Sequence, residues 1–302
     1  MRQDWIDISK GFVILLMVLG HTTIPDSLAR WVYSFHMPFF FFISGFCTSW
    51  NRDTFLSFFR RRMKTLLIPF GIYSCINFFI YPFALHVSPL DYIKGVLLYG
   101  WGGVALWFVP VFFCSVLLTK CLLGRFLFLF AVVCAGLGAF LDSCQVDIPW
   151  SVSSVPFATS LVMLGMLSKE LVQKFVVHAS MGGQMLLFFL GGGTGLLVSH
   201  FYRLDMAANH ISPIFPISIG IVAGILFTIS LSLFLSKVSL LSAMLARLGR
   251  HTFEMMAFSQ VIIVWLNVYF PVNPLVKYII MFATVFVIIR IRQLLSLTRF
   301  AF

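Results

Sequence analysis

Long apolar runs dominate the chain, and short clusters of charge and proline separate them. A membrane-crossing helix needs about 20 mostly apolar residues. Ten segments meet or approach that measure: 8–28, 31–50, 65–85, 104–122, 126–142, 153–168, 181–200, 214–235, 252–270 and 275–290. The first is interrupted by His21, Pro25 and Asp26, and the fifth and sixth are short for a full crossing. The runs are continuous, without the alternation of apolar and polar positions that marks a membrane β-barrel. The pattern therefore predicts an all-α, polytopic membrane protein of about ten transmembrane helices. It reads as a single membrane-embedded domain over 1–302, because no polar or low-complexity stretch is long enough to form another and no internal repeat stands out.

Composition sharpens this picture. The chain is 60% hydrophobic and only 10% charged, with mean hydropathy +1.01. A soluble domain of 302 residues would need far more charge to cover its surface. Net charge is +11, but no soluble basic domain is present to carry it, so nucleic acid is not an expected partner. Lys and Arg here report topology instead. If the N-terminus is cytoplasmic and the ten spans alternate, 17 of the 21 basic residues fall inside and 4 outside. That bias predicts cytoplasmic N- and C-termini and a multi-pass protein of the cell (inner, cytoplasmic) membrane. The first residues do not have the pattern of a cleavable signal peptide. The six cysteines read as small buried hydrophobes, without the spacing of a disulfide or metal site, so no metal is expected.

Candidate chemistry begins in the first span, IDISKGFVILLMVLGHT. Residues eleven apart on a helix differ by only about 20° in rotation. Lys10 and His21 thus share a face, roughly 16 Å apart along the axis, and Asp7 lies one turn before Lys10. Given 21 basic residues and 7 histidines in 302 positions, chance alone yields about 0.5 such basic-x10-His pairs. The spacing gains weight from its setting, because polar groups inside a bilayer are costly and tend to be functional. The plain alternative is a core histidine bonded to a neighbouring helix. In the next segment, SFHMPFFFFISGF, His36 enters from the opposite side, and Pro38 is expected to kink the helix. His36 is either a second group facing a common cavity or an interfacial residue. Glu254 is an intramembrane carboxylate and so a site candidate, with a salt bridge to Arg250 or His251 as the plain reading. Asp7 either pairs with Lys10 or simply starts the helix. Asn77, Gln260 and Asn267 read as interhelical hydrogen-bonding residues.

These stretches resemble the acyltransferase 3 family of integral membrane O-acyltransferases, closest to its compact, fucose O-acetylase-like branch. The basic-x10-His opening, SFHMPFFFFISGF, FFRRRMKTLLIPF, LWFVPVFF at 106–113 and LGRHTFEMMAFSQ at 248–260 carry the likeness. One departure is clear: the family's late helix often ends in an apolar residue followed by His, whereas this chain has Phe258-Ser259-Gln260. The resemblance implies O-acetylation of a sugar, lipid-linked glycan or surface polysaccharide from acetyl-CoA or another acyl-CoA. His21 is then the base, since an imidazole in an apolar setting stays neutral and keeps its lone pair, and Glu254 is a second catalytic candidate. CoA phosphates need cations at the cytoplasmic mouth, so Lys10, Arg61 and Lys64 are donor-binding candidates. His36, Asp7 and Trp107 are substrate-side candidates. Expected partners are acyl-CoA, a carbohydrate acceptor and the lipid bilayer. A rival reading from another class is a sugar-lipid transporter or flippase. A third is a non-catalytic partner in a polysaccharide assembly complex, for which His21→Ala would change nothing. Neither the acceptor nor the oligomeric state is legible.

Overall fold

The computed structural model describes residues 4–22, 24–85, 87–99, 105–270 and 273–294. Arg2 and Arg299, counted above among the inner basic residues, and residue 104, the start of one predicted span, lie outside them. Among the described residues the protein is all-helical, with no strand and one isolated bridge between Asp205 and His210. The chain divides into two compact units.

The first unit comprises Met1–Trp50, Cys114–Ile148 and Val152–Thr252. Its helices are α1 (Asp4–Gly20), α2 (Asp26–Tyr33), α3 (His36–Cys47), the second half of the helix that ends at Cys121, and the helices between Leu127 and Arg250. The predicted first span, 8–28, is not one helix. α1 ends at Gly20, and Pro25 both disfavours helix at the residue before it and precedes the first residue of α2. The span 31–50 is likewise split at Ser34-Phe35, so Trp31 to Tyr33 close α2 and α3 starts at His36. This corrects the expected kink at Pro38. That proline is the third residue of α3, in the first turn, where backbone N–H groups have no intrahelical partner to lose.

The second unit comprises Asn51–Phe113, Pro149–Ser151 and Phe253–Phe302. It opens on α4 (Phe55–Arg62), started by the Thr54 side chain, whose hydroxyl accepts from Ser57 N at 3.4 Å. A wide π-helical turn, Met63–Leu67, joins α4 without a break to α5 (Ile68–Leu85). Then follow α6 (Pro89–Tyr99) and α7 (Phe108–Cys121), the latter running on into the first unit. After them, α8 (Leu127–Ser143), α9 (Val155–Leu167), α10 (Lys169–Val172), α11 (Met181–Phe201), α12 (Ile214–Leu235) and α13 (Ser239–Arg250) belong to the first unit. α14 (Thr252–Tyr269) and α15 (Pro274–Leu294) complete the second.

Among the described residues, five stretches are helical, long and apolar enough to cross a membrane: Phe55–Ile80, Pro149–Leu167, Met181–Phe201, Ile214–Leu235 and Thr252–Tyr269. Their outward faces are apolar, with Phe189, Leu197 and Phe215 all exposed. In water such a surface would aggregate, whereas in lipid it is ordinary. The cysteines conform to this. All six are free, but only Cys134 is buried, which corrects the reading of them as interior residues. Helices that the hydropathy pattern did not predict, α4, α6, α10 and α13, all lie in what looked like connecting segments.

Inside the first unit, packing is set by aromatic mass and by glycine. Val32, Phe35, Leu16 and Phe227 form a core cluster with Trp31 and Phe188 against it. The Trp31 and Phe35 rings meet edge to face at 5.1 Å, and Phe188 stacks on Phe227 at 5.0 Å. Two helix crossings are closer than any larger residue would allow. A Cβ on Gly11 would run into the Leu245 carbonyl of α13, and one on Gly249 would run into the Asp7 carbonyl of α1. α3 and α9 meet the same way through Gly45, against Val162, and Gly165, against Phe42. Small residues are how helices gain contact in lipid, where burying apolar surface alone gives no net advantage. Replacing Gly11 or Gly249 with Val should lower stability by about 1–3 kcal/mol, the usual range for forcing atoms into a packed contact. A thermal melt of the detergent-solubilised protein reads this directly, and Gly71→Val, at a site with open space around it, is the control expected to melt within a degree or two of wild type.

Candidate active site

α1 carries two of the candidates, and a third, His21, follows directly on its end. Asp7 is buried although it lies near the helix start, because its own backbone carbonyl abuts Gly249. Lys10, one turn on, reaches back to it, Nζ to Oδ1 at 3.5 Å. Of the two sequence readings for Asp7, the structure therefore has the pairing. Lys10 remains partly exposed, with its side chain at 26%.

His21 follows the last residue of α1 rather than lying within one continuous helix over 8–28. Its Nδ1 is 2.7 Å from the Met17 carbonyl. A carbonyl only accepts, so this nitrogen carries the proton, and in the neutral ring Nε2 carries the lone pair. His36 repeats the arrangement one helix later. Its Nδ1 lies 2.9 Å from the Val32 carbonyl and its side chain is buried. Tyr33 touches both imidazoles. Its ring is 5.7 Å from that of His21 and 5.0 Å, edge-on, from that of His36. Tyr33 also packs on Gly20, whose missing side chain leaves room for the ring. Asp205, in the loop between α11 and α12, interacts electrostatically with both His21 and Tyr33. That loop is itself ordered by side chains. Asp142 accepts from the backbone N–H groups of Ile211 (2.9 Å) and Ser212 (2.6 Å), and Asp205 accepts from Ala207 N at 3.1 Å.

The second unit holds the other candidates. Glu254 is fully buried and paired with Arg292 of α15, a partner that the sequence reading, which looked to Arg250 or His251, did not include. Arg292 also reaches the Tyr73 hydroxyl at 3.5 Å. Nearby on the same helices, Asn77 donates to the Ala257 carbonyl at 3.1 Å, and Tyr73 stands edge-on to Phe258 at 4.9 Å. Asn267, also expected to hydrogen-bond, accepts from Lys277 at 2.6 Å. Arg61 is ion-paired with Asp53 and lies over the Phe58 ring, while Lys64 sits exposed on the π turn. Trp107 is half-buried, its ring perpendicular to that of Phe108 at 6.3 Å.

The candidates thus gather as an α1 set with His36 in one unit, and a Glu254 set and a basic set in the other. Sequence reasoning missed Tyr33, Asp205, Tyr73 and Arg292. Tyr33 had a usable signal, since it stands three residues before His36, one turn away on the continuous helix that hydropathy predicts over 31–50. Arg292 was seen only as a topological charge.

An all-helical chain with several apolar, membrane-length helices, carrying imidazoles, a buried carboxylate and exposed cations, has the character of a multi-pass membrane protein. The chain belongs to the acyltransferase 3 family: the family's acyltransferase domain matches residues 3–291. It is a membrane acyltransferase. No curated protein and no solved structure matches the chain.

The buried Glu254–Arg292 pair has a measurable consequence. Removing one member leaves an uncompensated buried charge, at about 3–5 kcal/mol. Glu254→Ala and Arg292→Ala should each melt well below wild type, and the double change Glu254→Gln with Arg292→Met should recover most of the loss.

Proposed function

We propose that this enzyme moves an acetyl or other short acyl group from acyl-CoA, most simply acetyl-CoA, to a hydroxyl of a sugar, lipid-linked glycan or surface polysaccharide, as in the fucose O-acetylase-like branch of the family. His21 is the general base. The observation that carries this reading is the hydrogen bond between His21 Nδ1 and the Met17 carbonyl, which presents Nε2 as the proton acceptor. The ring is held on one side by its own helix and on the other by Tyr33, so little orientation is lost on reaction.

In the proposed chemistry, Nε2 takes the proton of the acceptor hydroxyl as its oxygen attacks the thioester carbonyl. The carbonyl π electrons move to oxygen, giving a tetrahedral oxyanion. When the C–S bond breaks, its electron pair leaves on sulfur, and the imidazolium returns its proton to the CoA thiolate. Lys10, Arg61 and Lys64 meet donor phosphates as cations. For Arg61 this requires exchange of its Asp53 partner for phosphate. Asp7 orients Lys10. His36, through Tyr33, keeps the His21 ring in register. Trp107 lines the substrate side. Glu254 serves by holding Arg292. The ten-span layout, cytoplasmic termini and residence in the inner membrane are part of the same proposal, supported by the 17-to-4 distribution of basic residues.

The test is transfer of label from radioactive acetyl-CoA to glycan in membranes. His21→Ala should lower turnover on the order of 100- to 10,000-fold, the span associated with loss of a general base. Lys10→Ala should raise the KM for acetyl-CoA more than it lowers kcat. Equal labelling by wild-type and His21→Ala membranes would remove His21 from the mechanism.

A further inference from the structure

α13 is twelve residues long, too short to cross a bilayer, and it divides into three faces. Leu245, Leu248 and Gly249 are buried, and the close contacts of Leu245 and Gly249 with Gly11 and Asp7 set this face against α1. About a third of a turn around the axis, Leu240 (75% exposed) and Met244 (58%) form an apolar strip left open by the described residues, and exposed Leu241 continues it at the edge of the buried face. The remaining arc carries Arg247 and Arg250, both exposed, with Ser239 and small alanines. The helix follows directly on α12, an apolar helix long enough to span, with Lys237 at the join.

A helix with one face on protein, one apolar and one cationic fits a single environment, the boundary between acyl chains and headgroups. We propose that α13 lies in the plane of the membrane surface and binds anionic phospholipid there, Leu240, Leu241 and Met244 entering the acyl region while Arg247 and Arg250 engage headgroup phosphates. Charge complementarity selects the occupant. The strip is apolar along one side only, and its neighbouring arc is basic, with no carboxylate on the helix to attract a cationic partner. Because α13 packs on α1 through two glycines, lipid bound here also steadies the helix that bears Asp7 and Lys10 and leads into His21.

The full-length protein is placed in nanodiscs of phosphatidylcholine alone or with one quarter phosphatidylglycerol, and its melting temperature is followed. Wild type should melt higher in the anionic discs. Arg247→Gln and Arg250→Gln should each remove about 2–4 °C of that gain, and Arg→Lys at both positions should keep it. The indole introduced by Met244→Trp should fluoresce and be quenched by lipids brominated on the acyl chain. No gain in anionic discs, an undiminished gain in the double Gln variant, or an indole that brominated lipid leaves unquenched would each overturn the proposal. So would a gain reproduced by free CoA in phosphatidylcholine discs, which would make this face a donor site instead. None of these readouts uses acyl transfer, so they stand apart from the role of His21.

Discussion

Everything in the first unit depends on how closely two backbones approach. In lipid, apolar side chains gain nothing by leaving their surroundings, so helices hold together through contact and through polar bonds. Gly11 and Gly249 let α1 and α13 touch carbonyl to α-carbon, and the crossing buries Asp7. Once α1 is pinned along its first half, the direction of its other half is set, and so is the place where it ends. His21 inherits its position from that crossing rather than from any bond it makes to another helix.

The two histidines share a design. Each gives its Nδ1 proton to the carbonyl four residues earlier, a bond internal to the local chain. Such a bond fixes the tautomer without a partner carboxylate, and it leaves the far nitrogen as the only one able to accept a proton. Tyr33 sets the spacing between the rings. The second unit places its charges differently. There Glu254 and Arg292 neutralise each other in the interior, an arrangement whose worth lies in what happens when one of them is missing.

The helical class was readable because hydropathy acts over whole segments. The predicted run 214–235 coincides with α12, and 181–200 with α11 to within a residue. What hydropathy could not resolve were the breaks within a run and the short helices between runs. IPDS and the Ser34-Phe35 step interrupt apolar sequence without adding much charge, so a window average passes over them. α13 is invisible to the same average because its apolar and basic residues cancel; only their arrangement around the axis identifies it. The Asp7–Lys10 pair was legible because it is local. The pairing of Glu254 with Arg292, across 38 positions of sequence, was not, since a nearer Arg250 and His251 satisfied every rule that sequence spacing supplies.

The wide turn at Met63–Leu67 changes what residue spacing means in this part of the chain. An α-helix returns to the same face after 3.6 residues, but a π turn accommodates an additional residue and swings everything before it around the axis relative to everything after. Arg60, Arg61 and Arg62 precede the swing, whereas Lys64 lies inside it. The basic-x-x-basic pattern that looks like one stripe on paper is therefore fanned out in space, covering a broader arc than two neighbouring cations on a regular helix. A ligand with phosphates at more than one point along its length meets charge from several directions at such a place, while the apolar flank of α5 keeps its own alignment with the lipid below.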